Sequence, residues 1–164
     1  MSGTGKSTVI EGLRARGFEA VETDLDGWCE WGALPGETEP GWLWREARMH
    51  DLLSTPRAAP LFVSGCVSNQ GHFYPQFDHV VLLTAPTGVI LERVRTRTNN
   101  PYGKTGAEQQ EILHAVATVA PLLRRGADLE LDTAQLSAQA ATHRLIELAR
   151  TGLAPRPLTP KERT

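Results

Sequence analysis

Long apolar runs are missing from this 164-residue chain. No stretch approaches the roughly 20 residues that a membrane-spanning helix needs. Cysteine is scarce: Cys29 and Cys66 stand far apart, at no metal-ligand spacing. Two reduced thiols in a cytoplasmic protein are therefore expected, not a disulfide framework. A surplus of positive charge is missing too. Seventeen basic residues face 19 acidic ones, for a net charge of −2, which leaves no basic footprint for nucleic acid. The N-terminus lacks the charged-then-apolar pattern of a signal peptide. The five histidines, His50, His72, His79, His114 and His143, show no metal spacing. No internal repeat and no second domain can be seen.

What remains suits one compact domain over residues 1–150, with 40% hydrophobic residues and four tryptophans to build a core. The tail, 151–164, holds three prolines and several charges without an apolar face. It is expected to be disordered. Four short apolar runs predict strands: Phe18 to Glu22, Pro60 to Gly65, His79 to Thr84 and Asp128 to Thr133. Leu61-Phe62-Val63 and Val80-Val81-Leu82-Leu83 are continuous, as in parallel strands buried on both faces. Helical patterns lie between them, at Lys6 to Arg16, Trp42 to Leu53, Thr87 to Arg97, Gly106 to Arg125 and Ser137 to Arg150. Ser137 is a good N-cap for the last. Alternating strands and helices predict an α/β fold with helices on both faces of a parallel sheet.

The most specific signal is Ser2-Gly3-Thr4-Gly5-Lys6-Ser7-Thr8. It carries the end of the phosphate-binding pattern G-x-x-x-x-G-K-[ST]. Small residues at Gly3, Thr4 and Gly5 let backbone N–H groups approach phosphate closely. The helix that follows aims its positive end at the same anion. Lys6 adds a full charge, Ser7 offers a hydroxyl to Mg²⁺, and Thr8 supports it. The pattern's first glycine would fall one position before Met1, and the buried strand that should precede it has no residues here. The expectation is that this start lies inside a longer reading frame. The competing reading is a chance flexible terminus.

Other candidates follow the strands. Asp24 and Asp26, after the second expected strand, could face the phosphate loop, since ligands of such sheets bind beyond the strands' carboxyl ends. Asp24 would hold Mg²⁺ through water, and Asp26 would orient or deprotonate an acceptor hydroxyl. A solvated turn is the alternative. Glu19 to Glu39 carries seven acids and no base, which disfavours an anionic acceptor, although a solvated acidic face explains it equally. Arg93 and Arg97 share a helical face just before the loop Thr98 to Gly103. Together they outline a lid over about 95–108, with Arg97 placed to neutralise charge on a transferred phosphoryl group. Surface arginines are the alternative, and Arg95 on another face fits that better. Arg45 and Arg48, beside Trp42 and Trp44, could bind an acidic substrate group, or the indoles could be core. Gly65 is a candidate for the point where a ligand nears the backbone, and the Asp132-Thr133-Ala134 turn is a candidate border for a nucleotide base.

Taken together, these features resemble the small P-loop kinases: shikimate kinase, gluconate kinase and the adenylate kinase group. The likeness covers roughly Met1 to Arg150 and rests on Gly3 to Thr8, Asp24-x-Asp26, Arg93/Arg97 and Asp132-Thr133. It implies a P-loop NTPase three-layer sandwich with sheet order 2-3-1-4-5, its first strand missing here. It implies transfer of the γ-phosphoryl of Mg-ATP to a hydroxyl of a small acceptor. Arg93 would contact adenine, Arg97 the phosphates and Arg45 an acceptor carboxylate. Ser64-Gly65-Cys66 departs from the triple glycine of shikimate kinase, so the acceptor stays open. No D-x-x-G aspartate ends the third strand, which tells against a motor-type ATPase. A nucleoside monophosphate kinase is the nearest rival. A nucleotide-binding regulatory module, or an inactive fragment, is the rival of another class.

Overall fold

A computed structural model describes residues 1–151. The expected disordered tail falls outside these residues apart from Thr151, which ends the last helix. The helix α1 (Lys6–Arg14) starts directly from Gly5 and turns Val9, Ile10 and Leu13 inward. These residues form one core with Ala20, Ala141 and Ile146. Strand β1 (Glu19–Glu22) follows and pairs in parallel with β4 (Leu61–Ser64). Strand β5 (Val81–Thr84) pairs in parallel with β6 (Leu129–Asp132). All four strands fall inside the expected apolar runs. The pairs β1-β4 and β5-β6 have the neighbours that the order 2-3-1-4-5 assigns to its second and third and to its fourth and fifth strands. Among the described residues, β4 and β5 do not bond to each other.

Two expectations fail here. Trp42 to Leu53 is not one helix. Gly41–Trp44 is a strand, β3, antiparallel to β2 (Cys29–Gly32), and α2 begins only at Glu46 and runs to Ser54. Period-two burial explains it: Trp42 is exposed, whereas Trp44 is buried among Met49, Val67 and Phe73. The long helix Gly106 to Arg125 is two helices, α4 (Gly106–Thr118) and α5 (Ala120–Gly126). Pro121 sits at the start of α5, where its missing N–H costs nothing, and it could not have sat mid-helix.

Helix α3 (Thr87–Thr96) buries Ile90 and Val94 against Ile112 of α4. The start of α4 is fixed by a reciprocal cap. The Thr105 hydroxyl accepts from the Glu108 N–H, and the Glu108 carboxylate accepts from the Thr105 N–H. The last helix, α6 (Ala138–Thr151), packs on α1. Its Ser137 hydroxyl accepts from the Ala140 N–H at 3.1 Å, so the expected N-cap is present. No helix among the described residues is long and apolar enough to cross a membrane.

Candidate nucleotide-binding site

The loop before α1, the end of β1, the C-terminal part of α3 and the turn after β6 enclose an open cleft of about 770 Å³. That volume lies within the range of small-molecule sites. Gly3 and Gly5 both have positive φ, 76° and 86°. Gly3 also admits no side chain: a Cβ there would lie 2.9 Å from the Ile90 carbonyl oxygen and 3.0 Å from Ile90 Cγ2. The loop thus rests on the core face of α3. Thr4 is buried and donates to the Met1 carbonyl at 3.1 Å. From there the chain enters α1, whose first N–H groups have no intrahelical partner and open toward the cleft. The Lys6 ammonium donates to the same Met1 carbonyl at 2.8 Å and stands 4.0 Å from the Asp24 carboxylate. Ser7 and Thr8 line the cleft, and Thr8 is exposed.

The acids arrive in a different register from the expected one. The Ser7 hydroxyl donates to the Glu22 carboxylate, the last residue of β1. Glu22 and Asp24 both line the cleft. Asp26 does not: it is exposed, sits at φ 59° in the turn after β1, and its carbonyl accepts from Arg48. The carboxylates facing the loop are therefore Glu22 and Asp24, two residues earlier than Asp24 and Asp26. Glu22 ends β1 and Asp24 lies in the turn just after it, so the spacing of the pair is kept while the register moves.

The arginines divide by surroundings. Arg93 donates to the Thr133 hydroxyl and carbonyl, both at 2.8 Å, and to the Gly3 carbonyl at 3.3 Å. It ties the loop to the end of β6. Thr133 is buried, and its hydroxyl also lies 3.2 Å from the Thr4 carbonyl oxygen and 3.0 Å from that of Thr84. One side chain thus meets loop, β5, β6 and α3, a role that a single polar residue in the sequence did not announce. Arg97 lines the cleft and donates to the Tyr102 carbonyl at 2.7 Å, while its buried Nε has no partner among the described residues. Burial lowers its pKa from the ordinary guanidinium value. Arg95 lies on an exposed side and donates to Gln109. The Lys104 ammonium donates to the carbonyls of Arg95 and Arg97, closing the end of α3.

Three expected ligand contacts lie elsewhere. Arg45 pairs with Glu30 at 2.8 Å, both half-exposed, away from the cleft. Its neighbour Arg48 lies 3.9 Å over the Trp28 ring. Gly65 serves packing, because a Cβ there would lie 2.2 Å from Thr23 Oγ1 and 2.9 Å from the Trp44 ring. In that space the Trp44 indole N–H donates to Thr23 Oγ1 at 2.7 Å, and Thr23 donates to the Ser64 carbonyl at 2.9 Å. The Asp132 carboxylate accepts from the Ala134 N–H at 2.8 Å and shapes its own turn. Its neighbours Thr133, Leu136 and Ser137 line the cleft.

Residues 1–114 match a family profile described as an AAA domain, AAA_18. The chain belongs to this family. It is a group of P-loop NTPase-like domains that includes small kinases, and it accords with the parallel strand pairs and the glycine loop leading into α1. No curated protein matches the chain.

Proposed function

We propose that this AAA_18 domain is a small-molecule kinase, which transfers the γ-phosphoryl group of Mg-ATP to a hydroxyl of a small acceptor. The observation that carries this reading is the convergence on one cleft of Lys6, the free N–H groups of α1, the Ser7–Glu22 contact and Arg97. The N–H groups and Lys6 would bind the phosphates. Arg97, part-buried and with an N–H unused among the described residues, would counter the charge on the phosphoryl group in flight. Arg93 would hold the loop in shape, and its aliphatic stem would border the base together with Leu136 and Ser137.

The donors near Ser7 fit Mg²⁺. One hydroxyl and the carboxylates of Glu22 and Asp24 are hard oxygen ligands, and this ion is usually held by one or two carboxylates together with phosphates and waters. When bound, the ion would screen charge shared between the outer phosphates. Glu22 and Asp24 would also orient the acceptor hydroxyl, since both line the cleft and Asp26 does not. Arg45 and Arg48 are engaged outside the cleft, which favours a neutral, hydroxylated acceptor over a nucleoside monophosphate.

The test is ADP release from Mg-ATP against a panel of sugars, polyols, hydroxy acids and nucleosides. A turnover that Glu22→Gln or Asp24→Asn lowers at least tenfold, and that Asp26→Asn leaves in place, would support the reading. ATP binding with no turnover against any acceptor would assign the cleft to a regulatory module.

A further inference from the structure

Outside the cleft, Trp31 and Trp42 face each other across the hairpin β2-β3. Their rings meet edge to face at 5.4 Å, yet the two residues are 60% and 56% exposed. Two strand positions away, Cys29 and Trp44 form the next pair on the same face. There the face is closed, because Trp44 packs with Met49, Val67 and Phe73. The hairpin is thus anchored at one end and bare at the other. A single exposed apolar side chain is ordinary, but two touching indoles make a patch.

The patch is also held in place. The Ser68 N–H donates to the Trp42 carbonyl at 2.9 Å. The buried Asn69 side chain accepts from the Trp44 N–H at 2.8 Å and donates to the Trp44 carbonyl at 2.9 Å. The second edge of β3 is therefore occupied, and the indoles are fixed before any ligand arrives, which reduces the ordering cost of binding.

The charge around the patch has one sign. From Asp24 to Trp44 the chain has five acids, Asp24, Asp26, Glu30, Glu37 and Glu39, and no Lys or Arg. The next cations are engaged: Arg45 pairs with Glu30, and Arg48 lies over Trp28. Glu37 and Glu39, in the loop joining the strands, are exposed and have no ion pair among the described residues. This charge selects the occupant. A second copy would set these acids against their own like, and nucleic acid or an anionic membrane would be repelled. A neutral sugar ring would stack on the indoles but leave the acids unused. A cationic chain uses both. Arg48 shows the pairing at the foot of the same hairpin, its guanidinium 3.9 Å over the Trp28 ring and donating to the Asp26 carbonyl.

We propose that the Trp31–Trp42 face is a docking surface for an arginine-bearing segment of a partner protein. Guanidinium groups would stack on the indoles, and Glu37 and Glu39 would supply the opposite charge. Nucleotide has no part in this, so it stands or falls separately from the proposed activity.

Nuclear magnetic resonance tests it on the ¹⁵N-labelled 164-residue chain, through the indole N–H signals of its four tryptophans. The probe is acetyl-Gly-Arg-Ala-Arg-Gly-Arg-amide at about 0.15 M salt, against the same peptide with citrulline for arginine. Saturable shifts at Trp31 and Trp42, with Trp44 unmoved and the citrulline peptide roughly tenfold weaker, are expected. Trp31→Ala with Trp42→Ala should weaken binding roughly tenfold, and Glu37→Gln with Glu39→Gln should weaken it and flatten its salt dependence. Should the alanines loosen the hairpin, seen as movement of the Trp44 signal, Thr at both positions keeps strand propensity and serves instead. Equal binding by the tryptophan variants would reduce the effect to diffuse charge attraction and overturn the proposal. So would the absence of saturable shifts, shifts at these indoles that grow with protein concentration alone (a second copy), or shifts produced by maltose and not by the peptide (a sugar platform).

Discussion

Replacing Thr133 by Val removes one hydroxyl and keeps the shape, which makes it the sharpest test of how the phosphate loop is held. That hydroxyl accepts from Arg93 at 2.8 Å and lies within reach of the carbonyls of Thr4, at 3.2 Å, and Thr84, at 3.0 Å. It has one proton, so it serves one carbonyl at a time. The Thr84 carbonyl also receives the Thr133 N–H at 2.8 Å, which survives the change. The Thr4 carbonyl and one Arg93 N–H are then the groups left short. One lost buried hydrogen bond costs about 1 kcal/mol, and stranding its partners adds about 1–2 kcal/mol, since one of them is charged. Arg93 keeps its bonds to the Thr133 and Gly3 carbonyls, which limits the total to about 2–3 kcal/mol. Urea unfolding followed by tryptophan fluorescence reads this as a fall in midpoint at unchanged m. Thr133→Ser, which keeps the hydroxyl, should recover most of the loss. A loss for Thr133→Val below about 0.5 kcal/mol would refute the view that this hydroxyl ties the loop to the sheet.

Other outcomes follow from the same geometry. Gly3→Ala must place a Cβ against the Ile90 carbonyl at positive φ, so it should destabilise by about 2–4 kcal/mol, read by the same unfolding assay. Asp26→Asn should leave nucleotide affinity within about twofold, whereas Glu22→Gln should weaken its Mg²⁺ dependence, both measured by calorimetry with a non-hydrolysable ATP analogue. The Met1 ammonium supplies a pH test on chain that retains Met1. Its pKa is about 6 folded against 8.0 unfolded, so unfolding takes up a proton between these values and stability rises with pH across that window, by about 3 kcal/mol at most. An N-terminally acetylated chain should lack that rise, and equal slopes for the two would contradict a buried terminus.

Much of the scaffold could be read from the residues, because buried parallel strands leave continuous apolar runs. Leu61-Phe62-Val63 and the run ending Val81-Leu82-Leu83 became β4 and β5, and Ser137 capped α6 as a serine before an apolar helix should. The hairpin could not be read so easily. Trp42 and Trp44 lie two apart at the edge of a helical pattern, and only the partner strand Cys29–Gly32 settles which period applies. The break at Pro121 follows from proline's missing N–H, although the apolar stripe of Ile112, Val116, Val119 and Leu123 runs on past it. The acidic pair illustrates another limit. Glu22-x-Asp24 and Asp24-x-Asp26 have the same spacing, so only the point where β1 ends decides which two carboxylates line the cleft, Glu22 against Ser7 and Asp24 near Lys6. In the sequence, neighbouring aromatics make Arg45, and backbone freedom makes Gly65, resemble ligand contacts. Each is accounted for instead by a nearby group, Glu30 for Arg45 and the Thr23–Trp44 contact for Gly65.

The central claim is that the loop Ser2 to Thr8 and Lys6 hold nucleotide phosphates. Calorimetric titration of Mg-ATP into the native chain and into Lys6→Ala tests it most directly. Saturable binding to the native chain, weakened roughly tenfold or more by Lys6→Ala at unchanged fold, is the expected result. No binding of any nucleoside triphosphate to the folded chain, or equal affinity for the two proteins, would contradict it.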